Sequence, residues 1–429
     1  MKRETLLYIF GYLILVKFKY RQNELQIMAE PIFVVGGEVE PPYFIGRNEK
    51  ITKIKLDILN AAQNNVIIGP RRIGKTSLLK NVKISVEGRV LFVYVNCRKI
   101  TDLADFFRIT TKALVLAYEE KHRVKGLALK FSEIFKEKIT AATSSISEVG
   151  GNIEYIGHVY PRFREEEIDE EELVSETIEF VLNFAKEIKE PVVIAFDEFQ
   201  KLSKLKGNIF NLFKCHMDSQ PSVRYIFSSS SLSLMHEVFL EPDSPLYLMA
   251  AKIQLDPIKK EDLDNYVRSR LELKDIRISD EALGKIYEYT SGFPFYFQKL
   301  GFILYWKAVL ENRNSIDSRE VDIAFSSMIR EFDSEFEASY SSNFSRQQQD
   351  ILKHLSKKET RWLKEIARDM QTPTSSLTTS MKDLYYTMTV QKPKEGMYGI
   401  QDSVFRLWIK KNILGVLSDR VLINENTSL

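Results

Sequence analysis

The pattern richest in chemistry is Gly69, four further residues, then Gly74, Lys75 and Thr76. This is the G-x-x-x-x-G-K-[ST] spacing of a phosphate-binding loop. Gly69 and Gly74 let the backbone curl so that successive N–H groups face phosphate oxygens. Lys75 supplies a point charge for β- and γ-phosphates. Thr76 offers a hydroxyl to Mg²⁺, and the helix that starts there aims its positive end at the same anion. The run Gly69, Pro70, Arg71, Arg72, Ile73, Gly74, Lys75, Thr76 and Ser77 is therefore expected to hold the phosphates of ATP.

A second run, VVIAFDEFQ at 192–200, ends five apolar residues with Asp197-Glu198. Carboxylates at the C-terminal end of a buried strand sit where open α/β sheets bind ligands. Asp197 suits Mg²⁺, and Glu198 suits polarising a water for attack on the γ-phosphate. A third run, VRYIFSSSS at 223–231, reads as a neighbouring strand ending in hydroxyls, of which Ser229 or Ser230 is expected near the γ-phosphate.

The elements that must position these groups are legible nearby. Val66, Ile67 and Ile68 read as a short buried strand, and 75–82 as a helix. The VLFVYV run within 89–96 has the continuous apolar texture of a buried parallel strand, and 251–255 is a further short strand. Helical periodicity covers 103–135 and 173–188, with Pro191 closing the latter. Between them lie a Gly150-Gly151 turn signal and the acidic run 164–172, read as solvated surface. Residues 118–164 carry no motif.

From 259 to 343 the pattern is helical with no β signal, broken at Gly292-Phe293-Pro294. From 345 onward three short helices (347–355, 362–369, 375–384) precede Val390 and 397–400, a two-stranded wing around 393–396. That order is a helix-turn-helix with a wing, a DNA-reading arrangement. Residues 343–412 hold thirteen Lys/Arg against seven Asp/Glu, while the whole chain is only +2. Such local charge suits a phosphate backbone. The third helix, mostly Ser and Thr with only Lys382 basic, leaves protein contact open as the other use of this unit.

The 429-residue chain is 44% hydrophobic and 28% charged, a soluble globular balance that excludes a polycation and leaves room for two or three domains. Two cysteines, Cys97 and Cys215, exclude a disulfide framework and a four-cysteine zinc site and suit the cytoplasm. The five histidines make no cluster with metal-ligand spacing. The apolar run 5–16 is short for a membrane span and no small-residue cleavage site follows. An extra segment ahead of a domain starting at Met28 fits it better than a membrane helix.

Together these motifs resemble the archaeal ATPases of the STAND branch of P-loop ATPases, relatives of the AAA proteins. The resemblance spans about 43–414. GPRRIGKTSLL and VVIAFDEFQ match the family's phosphate loop and Walker B strand. FIGRNEKI, with Phe44, Gly46, Arg47 and Glu49, resembles the box near the nucleotide base, and 397–409 resembles the end of the winged domain. Gly292-Phe293-Pro294 resembles the Gly-His-Pro motif that closes on the nucleotide, which implicates Pro294; phenylalanine stands in the histidine's place.

Leu248-Met249 stands where the family usually has Gly-Arg, an arginine that is a candidate for γ-phosphate contact. Methionine cannot replace it, so the resemblance implies slow turnover or another arginine. It further implies an α/β P-loop NTPase with a parallel-sheet, three-layer core at 28–256, a helical lid at 257–342, a winged helix at 343–417 and a tail at 418–429. Residues 1–27 form an extension. The expected activity is Mg²⁺-dependent ATP hydrolysis, with Lys75 and Glu198 as catalytic residues and Thr76 and Asp197 as metal ligands. Duplex DNA is the expected partner of 343–412. The alternative is a nucleotide-dependent switch or scaffold with little turnover, acting through protein contacts or self-association.

Overall fold

A computed structural model describes residues 31–60, 63–123, 170–205, 209–217 and 223–415. The apolar run 5–16, the Gly150-Gly151 signal and most of the acidic run lie outside these residues, as does the helix expected beyond 123.

Five parallel strands form the central sheet: β1 (Asn64–Ile68), β2 (Leu91–Asn96), β3 (Val192–Asp197), β4 (Val223–Ser229) and β5 (Ala250–Gln254). Their spatial order is β2-β3-β4-β1-β5, so β4 lies between the strand that leads into the phosphate loop and the strand that ends in Asp197. Alternate residues of each strand enter different clusters. Val66, Ile68, Ile194, Phe196, Tyr225 and Phe227 pack on one face; Ile67, Val193, Ala195 and Ile226 pack on the other. Burial on both faces is why these strands read as unbroken apolar runs.

Helices Leu103–His122, Glu170–Ile188 and Ile209–Met217 cover the first face, and helices Asn48–Leu59 and Lys75–Ser85 the second. The result is three layers. A comb of aromatic rings fills the first face, with Phe199 and Phe227 at 4.5 Å and Phe196 and Phe213 at 5.5 Å between centroids.

Beyond the sheet come helices Lys260–Glu272, Asp280–Thr290, Pro294–Leu310, Ser318–Glu331 and Asp333–Ser342. Caps legible in the sequence start two of them: Ser279 accepts from the Ala282 amide at 3.1 Å, and Asp317 and Glu320 form a capping box. The expectation of no β structure here is corrected. β6 (Arg277–Ile278) pairs with β7 (Ser315–Ile316) in parallel. Two residues per strand are too few to show a period, so no sequence signal marks them.

The last unit holds helix Arg346–Ser356, β8 (Arg361–Trp362), helices Leu363–Asp369 and Thr374–Tyr386, β9 (Val390–Lys394), β10 (Met397–Ile400) and helix Ser403–Trp408. Its strands form an antiparallel sheet in the order β8-β10-β9. Packing does not break at residue 343. Phe336 lies 5.2 Å from Phe405 and 5.9 Å from Trp408, and one apolar cluster runs from the sheet through the helices into this unit. No helix among the described residues is long and apolar enough to cross a membrane.

Candidate nucleotide site

A cavity of 720 Å³ opens at the C-terminal end of the sheet, lined by Gly74, Lys75, Thr76, Ser77, Arg71, Arg72, Arg98, Glu198 and Pro294 among others. The loop from 69 to 74 joins β1 to the helix Lys75–Ser85. Gly74 sits at φ +94°, in the left-handed region that an L side chain resists. The Gly69 amide donates to the Ser229 carbonyl at 3.4 Å, tying the loop to β4.

Lys75 is buried, and its Nζ donates to the Gly69 and Pro70 carbonyls at 2.8 and 3.0 Å. Burial pulls its pKa down to about 8, against the upward pull of Glu198 and Asp197. An anion arriving in the loop would offset that desolvation. The Thr76 hydroxyl donates to Asp197 Oδ2 at 2.7 Å, and the Tyr94 hydroxyl to the same oxygen at 3.0 Å. Residues 121 apart in the chain thus present two hard oxygens side by side, a donor set that suits Mg²⁺ completed by phosphate oxygens and water. Among the described residues no group of three or more His, Cys, Asp or Glu could hold a metal by itself.

Glu198, at φ +56°, donates its amide to Asp197 Oδ1 at 3.0 Å. Its carboxylate pairs with Arg98 Nη2 at 2.6 Å and accepts from Gln200 Nε2, which also reaches Ser230 Oγ at 3.0 Å. Ser229 does not join this cluster: it is fully buried, and its hydroxyl is spent on the Ser231 amide and carbonyl. Of the two serines, Ser230 is the one beside Glu198.

The box near the base divides likewise. Phe44 lines the cavity. Arg47 also borders the cavity but is buried, with its guanidinium bonded to the Ile73 carbonyl at 2.8 Å and the Asp256 carbonyl at 3.1 Å, so it braces the phosphate loop. Burial pulls its pKa down to about 10. Gly46 packs against Ile258. Pro294 Cγ lies 3.9 Å from where a side chain on Gly74 would begin, while the Phe293 ring is buried in the core. The histidine position of the resembled motif therefore faces the core here.

Position 249 is not at this site. Ala250 pairs with Asn64, the first residue of β1, whereas the phosphate loop leaves the last, Ile68. Those ends lie about 13 Å apart at ~3.3 Å per residue, and Met249 packs against the core. The missing arginine thus removes nothing from this chain's own phosphate loop. The arginines at the cavity are Arg47, Arg71, Arg72 and Arg98.

Four contributors had no motif. Tyr94 and Arg98 follow from strand register, since β2 pairs with β3 residue for residue and Asn96 lies opposite Asp197. The segment at 34–39 crosses the cavity mouth; its Val39 amide donates to Ser77 Oγ at 3.2 Å, and only the Gly36-Gly37 pair marks it in the sequence. Gln298 accepts from the Val34 amide and donates to the Tyr43 carbonyl, holding that segment to the helix Pro294–Leu310.

A family model of the ATPase domain predominantly from Archaea matches residues 44–300, more than half of the chain. The chain belongs to this archaeal ATPase family. Among solved structures it is similar to a Walker-type ATPase of Pyrococcus abyssi, at 17% identity and TM-score 0.60 over 88% of this chain and 99% of that one. It is also similar to the ORC2 protein of Aeropyrum pernix, solved with ADPNP and ADP, at 15% identity and TM-score 0.52 over 90% and 99%. No curated protein sequence matches it. The shared architecture is that of a P-loop NTPase, and this chain carries its phosphate loop and Glu198, at the acidic end of β3, at one cavity.

Proposed function

We propose that this member of the family binds ATP with Mg²⁺ at the phosphate loop and hydrolyses it, and that the nucleotide state sets the position of the C-terminal unit. The observation that carries this is the contact of the Thr76 hydroxyl with Asp197, 2.7 Å apart beside buried Lys75. The phosphates lie on the amides that follow Gly69 and on Lys75, Thr76 and Ser77. Thr76 and Asp197 hold Mg²⁺, which neutralises phosphate charge when bound. Glu198 orients the water once Arg98 and Gln200 release it. The ATPase core is read as 28–256, the lid as 257–342 and a winged helix as 343–417. The three helices with the β8-β10-β9 sheet support that last reading, and seven exposed Lys/Arg at 346, 357, 358, 364, 368, 382 and 394 support duplex DNA as its partner.

A second reading, a nucleotide switch with little turnover, is favoured by the grip of Arg98 on Glu198. It is favoured too by the C-terminal end of helix Thr374–Tyr386, where Tyr386 packs at 5.5 Å against His236 of the core. The test is steady-state ATP turnover with and without duplex DNA at low salt. Lys75→Ala should lose nucleotide binding, and Glu198→Gln should bind without turnover. Turnover unchanged in the glutamine variant removes Glu198 from the mechanism. Turnover at the Lys75→Ala level, with ATP bound, selects the switch.

A further inference from the structure

Arg72 belongs to the phosphate loop, yet its guanidinium is committed to protein. It lies 4.9 Å from the ring centroids of both Phe295 and Phe332 and 5.4 Å from that of Tyr296. Nη1 donates to the Tyr296 hydroxyl at 2.7 Å, and Nη2 meets both Glu335 carboxylate oxygens at 2.6 Å. The Tyr296 hydroxyl in turn donates to Asp402. Asp402 caps the last helix, Ser403–Trp408, by accepting from the Phe405 amide at 2.9 Å. One side chain thus starts an unbroken polar path from the phosphate loop, through the helix Pro294–Leu310, to the C-terminal unit.

Two features make this path more than packing. Charge-assisted bonds are strong and geometrically exacting, and Tyr296, in the middle of the path, is fully buried. Arg72 also holds φ +66°, a left-handed backbone that costs an L residue of order 1–3 kcal/mol. The strain sits where the loop must adapt when phosphate replaces the Gly69 and Pro70 carbonyls as the partner of Lys75.

We propose that Arg72 is the positioning residue that couples occupancy of the phosphate loop to the C-terminal unit, through Tyr296 and Asp402. This rests on nucleotide binding at that loop. A change of loop shape moves the Arg72 fork; Tyr296 and Asp402 must follow or lose it. Coupling is reciprocal, so loosening Asp402 alters nucleotide affinity as well.

The test uses the full chain. ATP affinity is measured for the parent, Arg72→Ala, Tyr296→Phe and the double variant, and hydrogen exchange of residues 403–413 is followed with and without ATP. Tyr296→Phe keeps the ring and removes only the hydroxyl. Expected are an ATP-dependent change in exchange at 403–413 in the parent, its loss in both single variants, and a shift in ATP affinity of about fivefold or more. The double variant should resemble Arg72→Ala alone. Arg72→Lys should not rescue, because an ammonium cannot span Tyr296 and Glu335 together. Parent protein that binds ATP with no change at 403–413, or single-variant effects on affinity that simply add, overturns the proposal. Parent protein that binds no ATP overturns instead the nucleotide reading beneath it.

Discussion

Gly292→Ala is the sharpest test of how the core is joined to the helices beyond it. Gly292 sits at φ +73°, and a Cβ built there would lie 2.1 Å from the Ile258 carbonyl oxygen. That oxygen is backbone and cannot swing aside. Ile258 also donates its amide to the Gly292 carbonyl at 2.9 Å, so retreat breaks a hydrogen bond. Left-handed strain, overpacking and the lost bond together cost roughly 3–6 kcal/mol. At ~2–4 °C per kcal/mol the melting midpoint should fall by about 6 °C or more. Pro294 follows two residues later and sits on Gly74, so relief of the clash also disturbs the phosphate loop and ATP binding should weaken. Thermal unfolding by circular dichroism and titration with a fluorescent ATP analogue measure both. Gly284→Ala is the control: a Cβ there meets nothing within 4 Å, and alanine in a helix interior should stabilise by ~0.5–1 kcal/mol. A Gly292→Ala protein that melts with the parent and binds ATP equally would refute the steric argument.

Further outcomes follow from the same geometry. Arg98→Ala removes an ion pair whose arginine is 60% exposed, worth ~0.2–1 kcal/mol. Turnover should rise up to about fivefold with ATP affinity nearly unchanged; a fall would reassign Arg98 to phosphate contact. Phe293→His restores the residue usual in the resembled motif but places an imidazole among core side chains, since Phe293 is 1% exposed. It should cost roughly 2–4 kcal/mol by thermal melts and add nothing to turnover. Lys394→Ala should reduce the slope of log affinity against log salt for duplex DNA by about 1; an unchanged slope places DNA elsewhere or nowhere.

The sequence by itself determined the phosphate-loop pattern, the acidic strand end and the class of fold. The phosphate loop is local: eight consecutive residues set the turn, the charge and the helix start, so spacing suffices to read them. Strands buried on both faces announce themselves as apolar runs, and helix caps at Ser279 and Asp317 are local hydrogen bonds. Tertiary structure decided what depends on register and crossing. Strand order put Ser230, not Ser229, beside Glu198, and β2–β3 pairing delivered Tyr94 and Arg98 to the acidic pair. The same register placed position 249 at the far end of the sheet. Arg47 and Arg72 look alike as arginines near a phosphate loop, yet one braces it through the Ile73 carbonyl and the other reaches the last helix through Tyr296. No spacing rule encodes such contacts, because residues hundreds of positions apart meet only once the sheet and its covering helices have packed.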